Sequence, residues 1–283
     1  MTVPNEQHYP VALQVAKAGK HVYTEKPIAH NLEDGLAIEK LQKEFGVTVT
    51  VGHSARLLGG VQEIKKRIIN GELGKVGFFE ANISNERALE LTPDTWRWYR
   101  DRAPGGPLSQ LAIHMFDVVN YLGETIVEAS SIASKLSPVG AEVDDQSMTL
   151  LKFSDGAIAY IGTCWTSPGI FALRVFGSKA LIHYEIDFGT WDTPEKIKNS
   201  STFYIQRGKD GFGKREVLSE PETNMFTAEL DIFAESCKSG QTSVLSAANG
   251  NEAVACVYAA LSSIDKNGVS VKLSEVLESA RNK

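Results

Sequence analysis

The sequence has no run of about 18 consecutive apolar residues, and its start lacks a charged segment followed by an apolar one. The first absence argues against a membrane-spanning helix and the second against secretion. Cysteine is scarce. Cys164, Cys237 and Cys256 are far apart, odd in number and not spaced as zinc ligands, which suits a reducing compartment, so the cytoplasm is the expected location. There is no excess of positive charge: 29 Lys+Arg stand against 35 Asp+Glu, for a formal net charge of -6. That balance removes any electrostatic basis for binding nucleic acid or an acidic membrane surface. No G-x-G-x-x-G turn, the receptor of a dinucleotide pyrophosphate, occurs anywhere; "GKDGFG" at 208–213 has the wrong spacing. Internal repeats and low-complexity segments are also absent.

What is present is an ordered alternation. "HYPVALQVAKA", 8–18, carries Val11, Val15 and Ala18 before Gly19 and predicts a helix, and "KHVY" predicts a short strand. Asn31 is a good N-cap for "LEDGLAIEKLQKEF", whose Leu32, Leu36, Leu41 and Phe45 lie near helical spacing before Gly46. "VTVTV" follows as a β-branched strand. Connections too long for hairpins imply parallel strands and half of a doubly wound sheet.

Beyond about residue 59 the pattern changes. A helix, "VQEIKKRIIN", precedes the strand "KVGFFEANIS", and helical stretches near 106–122 and 246–266 bracket "TIVEASSIASKL", "QSMTLLKF", "AIAYIGTCW", "FALRVFG", "ALIHYEI" and "TFYIQR". Turn signals at Ser154-Asp155-Gly156 and Gly177-Ser178 suit sequential antiparallel strands. The expected fold class is α/β plus α+β: a partial Rossmann domain over residues 1–57, then an α+β domain with one large, mostly antiparallel open sheet over residues 58–283.

Two stretches carry candidate chemistry. "YTEKPIA", 23–29, ends a strand on Glu25, Lys26 and Pro27, and strand ends in open α/β sheets are where ligands bind. A proline after Lys26 holds it to extended geometry, whereas on the simpler view Lys26 is a surface lysine paired with Glu25. In "GGPLSQLAIHMFDVVNYLG", 105–123, ideal helical geometry puts Gln110, His114, Asp117 and Tyr121 within roughly 60° of one another. A solvated stripe normally uses Lys and Glu, which are missing here, so this stripe is expected to line a pocket. The simpler alternative is a structural hydrogen bond between His114 and Asp117. Pro4 and Asn5 precede a helix and can meet a ligand or merely cap it. His53 and Arg56 of "GHSAR" are pocket candidates by location, "DTWRWYRDR" is a lid or an interface, and Trp165 is a weaker candidate.

On "VPNEQH", "AGKHVYTEKPIA", "VGHSAR", "NGELGKV" and "GGPLSQLAIHMFDVVNYLG", in that order, the chain resembles the Gfo/Idh/MocA oxidoreductases, the glucose-fructose oxidoreductase and inositol dehydrogenase family. The resemblance covers essentially the whole chain. It implies a Rossmann domain that binds NAD or NADP, a sugar, polyol or related small-molecule substrate, and a homodimer or homotetramer formed through the large sheet. It places Lys26 beside the nicotinamide and the reacting hydroxyl, and makes His114 the acid/base. Pro4, Asn5, His8, Glu25 and Pro27 fall near the cofactor, and Gln110, Asp117, His53, Arg56 and Trp165 are expected on the substrate side. No metal is implied.

Two departures stand out. Family sugar dehydrogenases carry aspartate four residues before the histidine where this chain has Gln110, which is expected to reflect a different substrate. Met1 aligns inside the family's fourth strand, so roughly 70 residues, about two βαβ units, are expected upstream. The sequence therefore leads to a nicotinamide-dependent dehydrogenase acting on CH–OH groups; the alternative is a non-catalytic binding or assembly module of the same family. Arg56, Arg97, Arg100 and Arg102 would equally serve an acidic substrate.

Overall fold

A computed structural model describes residues 1–187, 189, 193–208 and 214–282; most of "GKDGFG" lies outside the described residues. The first sheet is small. β1 (Val22–Glu25) and β2 (Val49–Gly52) pair in parallel with Val22 opposite Val49. Both faces are covered, with Val22, Val49 and Val51 essentially inaccessible, as expected of β-branched strands in a parallel sheet. α1 (His8–Lys17) and α2 (Leu32–Phe45) flank it. Asn31 caps α2 by accepting the Asp34 N–H, and Gly46 ends it at φ 65°, the left-handed geometry that glycine tolerates.

Two other segments extend this sheet. The Met1 nitrogen donates to the Tyr23 carbonyl at 2.5 Å, and the Met1 carbonyl accepts from the Glu25 N–H at 3.1 Å, so the chain enters alongside β1. At the other edge the Val51 N–H donates to the Leu245 carbonyl at 2.9 Å. The strand expected at 20–23 begins two residues later. His21 is spent outside the ladder, its Nδ1 accepting the Thr48 N–H at 2.9 Å. The shift makes Glu25 the last strand residue and Lys26 the first residue beyond the edge.

The second sheet has nine strands among the described residues. β3 (Val76–Ser84), β4 (Ile126–Ser134), β5 (Gln146–Phe153), β6 (Ile158–Cys164), β7 (Ile170–Gly177), β8 (Ala180–Ile186), β9 (Thr202–Arg207), β10 (Arg215–Val217) and β11 (Val271–Lys272) are ordered β10-β9-β8-β7-β3-β6-β5-β4-β11. Every pairing is antiparallel except β3 with β6, where Phe78 faces Ile158. α3 (Gly59–Ile69) precedes β3, and α5 (Pro194–Ser200) precedes β9.

One face of this sheet is buried. Phe79, Ala81, Leu151, Phe153 and Ala159 point to it and join the core with α4 (Ile113–Leu122) and α7 (Ala247–Asp265). The opposite face is open: Ile132, Met148, Leu150 and Ile158 are 61%, 45%, 55% and 52% exposed, a cluster of apolar side chains on one sheet surface. The strict alternation of β5 is what a half-covered antiparallel strand requires.

Three helices were not visible in the sequence pattern, α5, α6 (Met225–Ser239) and α8 (Leu273–Arg281). α6 buries only Met225, Glu229 and Ser236, so it carries no continuous apolar stripe to read. The helix expected over 106–122 is also not uniform: Leu108–Ala112 forms a π-helical turn before α4. A π turn changes the angular phase of the residues before it relative to those after it.

Candidate active site

The strand end of β1 and the π turn meet through one hydrogen bond. Lys26 Nζ donates to the backbone carbonyl of Gln110 at 2.9 Å, while the Lys26 N–H donates to Glu25 Oε2 at 3.2 Å. Burial lowers the Lys26 ammonium to about 8; the nearby Glu25 carboxylate opposes this and the Arg97 charge adds to it. The Lys26–Pro27 peptide is cis.

Behind this turn lies His8, fully buried. Its Nδ1 sits 2.9 Å from the Pro27 carbonyl and its Nε2 3.1 Å from the Val3 carbonyl. The ring therefore ties residue 3 to the Glu-Lys-Pro turn and is not among the residues that line the cleft. Pro4 is exposed at the start of the short 3-10 turn Asn5–Gln7. Asn5 is buried, and its Nδ2 has no hydrogen-bond partner.

From α4, His114 reaches the same place. It is 5% exposed, and burial, the Lys26 charge and His53 together hold its pKa well below the usual histidine value. The ring is neutral at physiological pH, so it is ready to accept a proton. Gln110 is nearly as buried; its Oε1 accepts from Arg97 Nε at 3.3 Å and its Nε2 donates to Ser109 Oγ at 3.2 Å.

The polar stripe of an ideal helix divides here. Gln110 and His114 line the cleft, but Asp117 turns into the interior and binds Arg56. Arg56 Nε donates to Asp117 Oδ2 at 2.8 Å and a terminal amino group donates to Oδ1, the bidentate fork that guanidinium favours. Arg56 also donates to the Val244 carbonyl at 3.1 Å. His53 Nδ1 lies 3.6 Å from Asp117 Oδ1, and burial lowers His53 to about 4. All three are almost inaccessible, so His53, Arg56 and Asp117 form a polar cluster behind His114 and not a substrate-contacting wall. Asp117 thus gives both carboxylate oxygens to Arg56, a pairing that the helical spacing did not suggest.

The cleft has a volume of about 210 Å³. Glu25, Lys26, Arg97, Gln110, His114 and Trp165 line it, which brings together six of the residues singled out in the sequence. Trp165 is 1% exposed and its indole N–H has no partner, a buried donor that awaits an acceptor. Asn85, Arg87 and Phe226 also line the cleft. Sequence reading missed Asn85 and Arg87, although both sit just past the end of β3, and it missed Phe226 because α6 itself was not seen. Arg100 and Arg102 are exposed and do not line it. A larger cavity of about 500 Å³ lies between α2, α7 and α8 and contains neither Lys26 nor His114.

Residues 1–53 match the family description "oxidoreductase family, NAD-binding Rossmann fold", and residues 61–183 match the GFO/IDH/MocA C-terminal domain. A crystal structure from Desulfitobacterium hafniense, described provisionally as an NADPH-dependent oxidoreductase, superposes with a TM-score of 0.92 at 33% identity, covering 98% of this chain and 79% of that one. Myo-inositol 2-dehydrogenase of Thermotoga maritima is 26% identical over 277 residues, 95% of this chain and 78% of that protein. Levoglucosan dehydrogenase in complex with NADH shares the fold, with a TM-score of 0.83 at 21% identity over 96% of this chain and 78% of that one. The chain thus spans just under four-fifths of each. With both parts matched and a relative of one-third identity along nearly its whole length, the chain belongs to the Gfo/Idh/MocA family of oxidoreductases, which uses nicotinamide cofactors.

Proposed function

We propose that this protein is a nicotinamide-dependent dehydrogenase that oxidises a hydroxyl carbon of a sugar, polyol or related compound, with Lys26 and His114 acting on the same oxygen. The observation that carries it is the meeting of a lysine ammonium and a neutral histidine in one cleft at a parallel strand end. The residues present fit the nicotinamide end of such a cofactor, since the buried Asn5 amide has a donor without a partner just beyond the sheet edge. Asn5, Glu25, Lys26 and Pro27 would hold that end, with Pro4 at the entry of the turn. The bound cofactor supplies the hydride acceptor.

The chain's own groups handle the proton. His114, neutral because it is buried beside a cation, takes the hydroxyl proton as the hydride leaves carbon. Lys26, aimed by the Gln110 carbonyl, donates a hydrogen bond to the same oxygen and stabilises the developing negative charge in a site of low dielectric. Gln110 and the Trp165 indole supply further hydrogen bonds that orient the substrate. Asp117, Arg56 and His53 act by packing behind His114 and fixing α4.

The open apolar face of the nine-stranded sheet supports a homodimer or homotetramer through that surface. Among the described residues no helix is long and apolar enough to cross a membrane, and the three cysteines are free, which supports a cytoplasmic location. Titration with NADH and NADPH, followed by nicotinamide fluorescence, tests the cofactor assignment. Saturable binding is expected, and absence of binding at millimolar cofactor would instead favour a non-catalytic module.

A further inference from the structure

The cleft is positively charged although the chain as a whole carries a net charge of -6. Its lining includes three cationic side chains, Lys26, Arg87 and Arg97, and one carboxylate, Glu25. Glu25 serves Lys26, accepting its backbone N–H, and leaves the two arginines unmatched. Arg97 spends only Nε inside the protein, on Gln110 Oε1, and its guanidinium lies 4.2 Å from the Trp96 ring centroid. Its terminal amino groups have no protein partner among the described residues. The Arg87 guanidinium likewise has none, and burial, then the Arg87 charge, lower the pKa of Arg97.

Arg87 is exposed and Arg97 half-buried at the rim of the cleft, so an anion that enters can accept hydrogen bonds from both guanidinium groups. The Arg97 fork is already fixed by its stack and its one hydrogen bond, so less freedom is lost when it binds. Beside it the buried Trp165 N–H offers a further donor without an acceptor. The neutral Gln110 amide, which holds Arg97 in place, does not neutralise it.

We infer that the substrate is anionic: a sugar or polyol bearing a carboxylate or a phosphate ester, whose charged group sits between Arg87 and Arg97 while its reacting hydroxyl meets Lys26 and His114. The inference rests on the dehydrogenase reading of this cleft. The anion is the substrate's and not the cofactor's, because Arg87 and Arg97 come from the segment joining β3 to α4 and not from the edge of the parallel sheet.

Binding without cofactor tests it. The chain is titrated with D-glucuronate, D-glucose 6-phosphate, D-glucose and myo-inositol, following intrinsic tryptophan fluorescence, with circular dichroism to check that each variant is folded. At least one anion is expected to saturate at concentrations on the order of 10- to 100-fold lower than the neutral sugars, the range of one charged hydrogen-bonded contact. Which anion does so separates the carboxylate from the phosphate. The preference should weaken with salt, collapse in R87Q/R97Q and survive in part in R97K. Neutral sugars that bind as tightly as both anions, no saturation by either anion, or a preference unchanged in the double variant would overturn the inference. An anion preference without any reduction of NAD(P)+ would leave it standing and defeat only the dehydrogenase reading; oxidation of neutral sugars without such a preference would do the reverse.

Discussion

Lys26 Nζ reaches the main-chain carbonyl of Gln110, 84 residues along the chain, at 2.9 Å. This bond joins the end of a parallel strand to the π turn that carries the candidate base one helical turn later. Because the acceptor is backbone, the aim of Lys26 depends on the fold of that turn and not on the identity of side chain 110.

Replacing Lys26 by methionine should lower turnover by about 10²-fold and remove the alkaline limb of the pH profile. In the parent protein kcat/KM should fall as pH rises through about 8, where Lys26 loses its proton. Stability should move the other way. An ammonium whose folded pKa is depressed is unfavourable in the fold below 8, and between 8 and 10.5 the folded chain sheds a proton that the unfolded chain keeps. The methionine variant should therefore match or exceed the parent in Tm at neutral pH, with the difference shrinking as pH rises across that window. Thermal melts at several pH values, set beside initial rates, check both halves.

Acid should destabilise the fold earlier than carboxylate titration alone would. His53 is held near 4 by burial, so between pH 6.5 and 4 the unfolded chain binds a proton that the folded chain refuses, and stability is lost as pH falls. His114 and His8 are depressed in the same direction. Urea midpoints measured from pH 7 down to 4.5 should fall steadily, and His53→Gln should flatten the slope. An unchanged slope would show that His53 is protonated in the fold.

The buried Arg56–Asp117 pair is a structural element behind the base. Asp117→Ala strands a guanidinium in the interior and should cost about 3–5 kcal/mol. Arg56→Met with Asp117→Leu should cost clearly less than the sum of the two single changes. Denaturant unfolding of the four proteins measures the coupling; strict additivity would contradict the pair.

Much of this arrangement was legible in residue order. The Asn31 cap, the β-branched runs and the alternating strands describe local preferences that packing then follows, and the Glu-Lys-Pro sequence marks a strand end on its own. Lost from view were features that depend on distant partners. Nothing local tells Asp117 to turn toward Arg56 and away from the cleft, because its partner lies 61 residues away along the chain. His8 looks like a ligand residue until two carbonyls from separate segments are seen on its ring. Helix α6 buries a glutamate where an apolar stripe would have announced it, and Arg87 becomes a cleft residue only once β3 is placed beside β6 and β7.

The central claim is that Lys26 and His114 act as one unit on a single hydroxyl. Its most direct test is the rate of NAD(P)+ reduction by the preferred sugar or polyol in the parent protein, Lys26→Met, His114→Asn and the double variant. Each single change should lower turnover by about 10²-fold or more, and the double variant should be little slower than the slower single one, as expected of groups that act together. Near-normal turnover in either single variant would contradict the account.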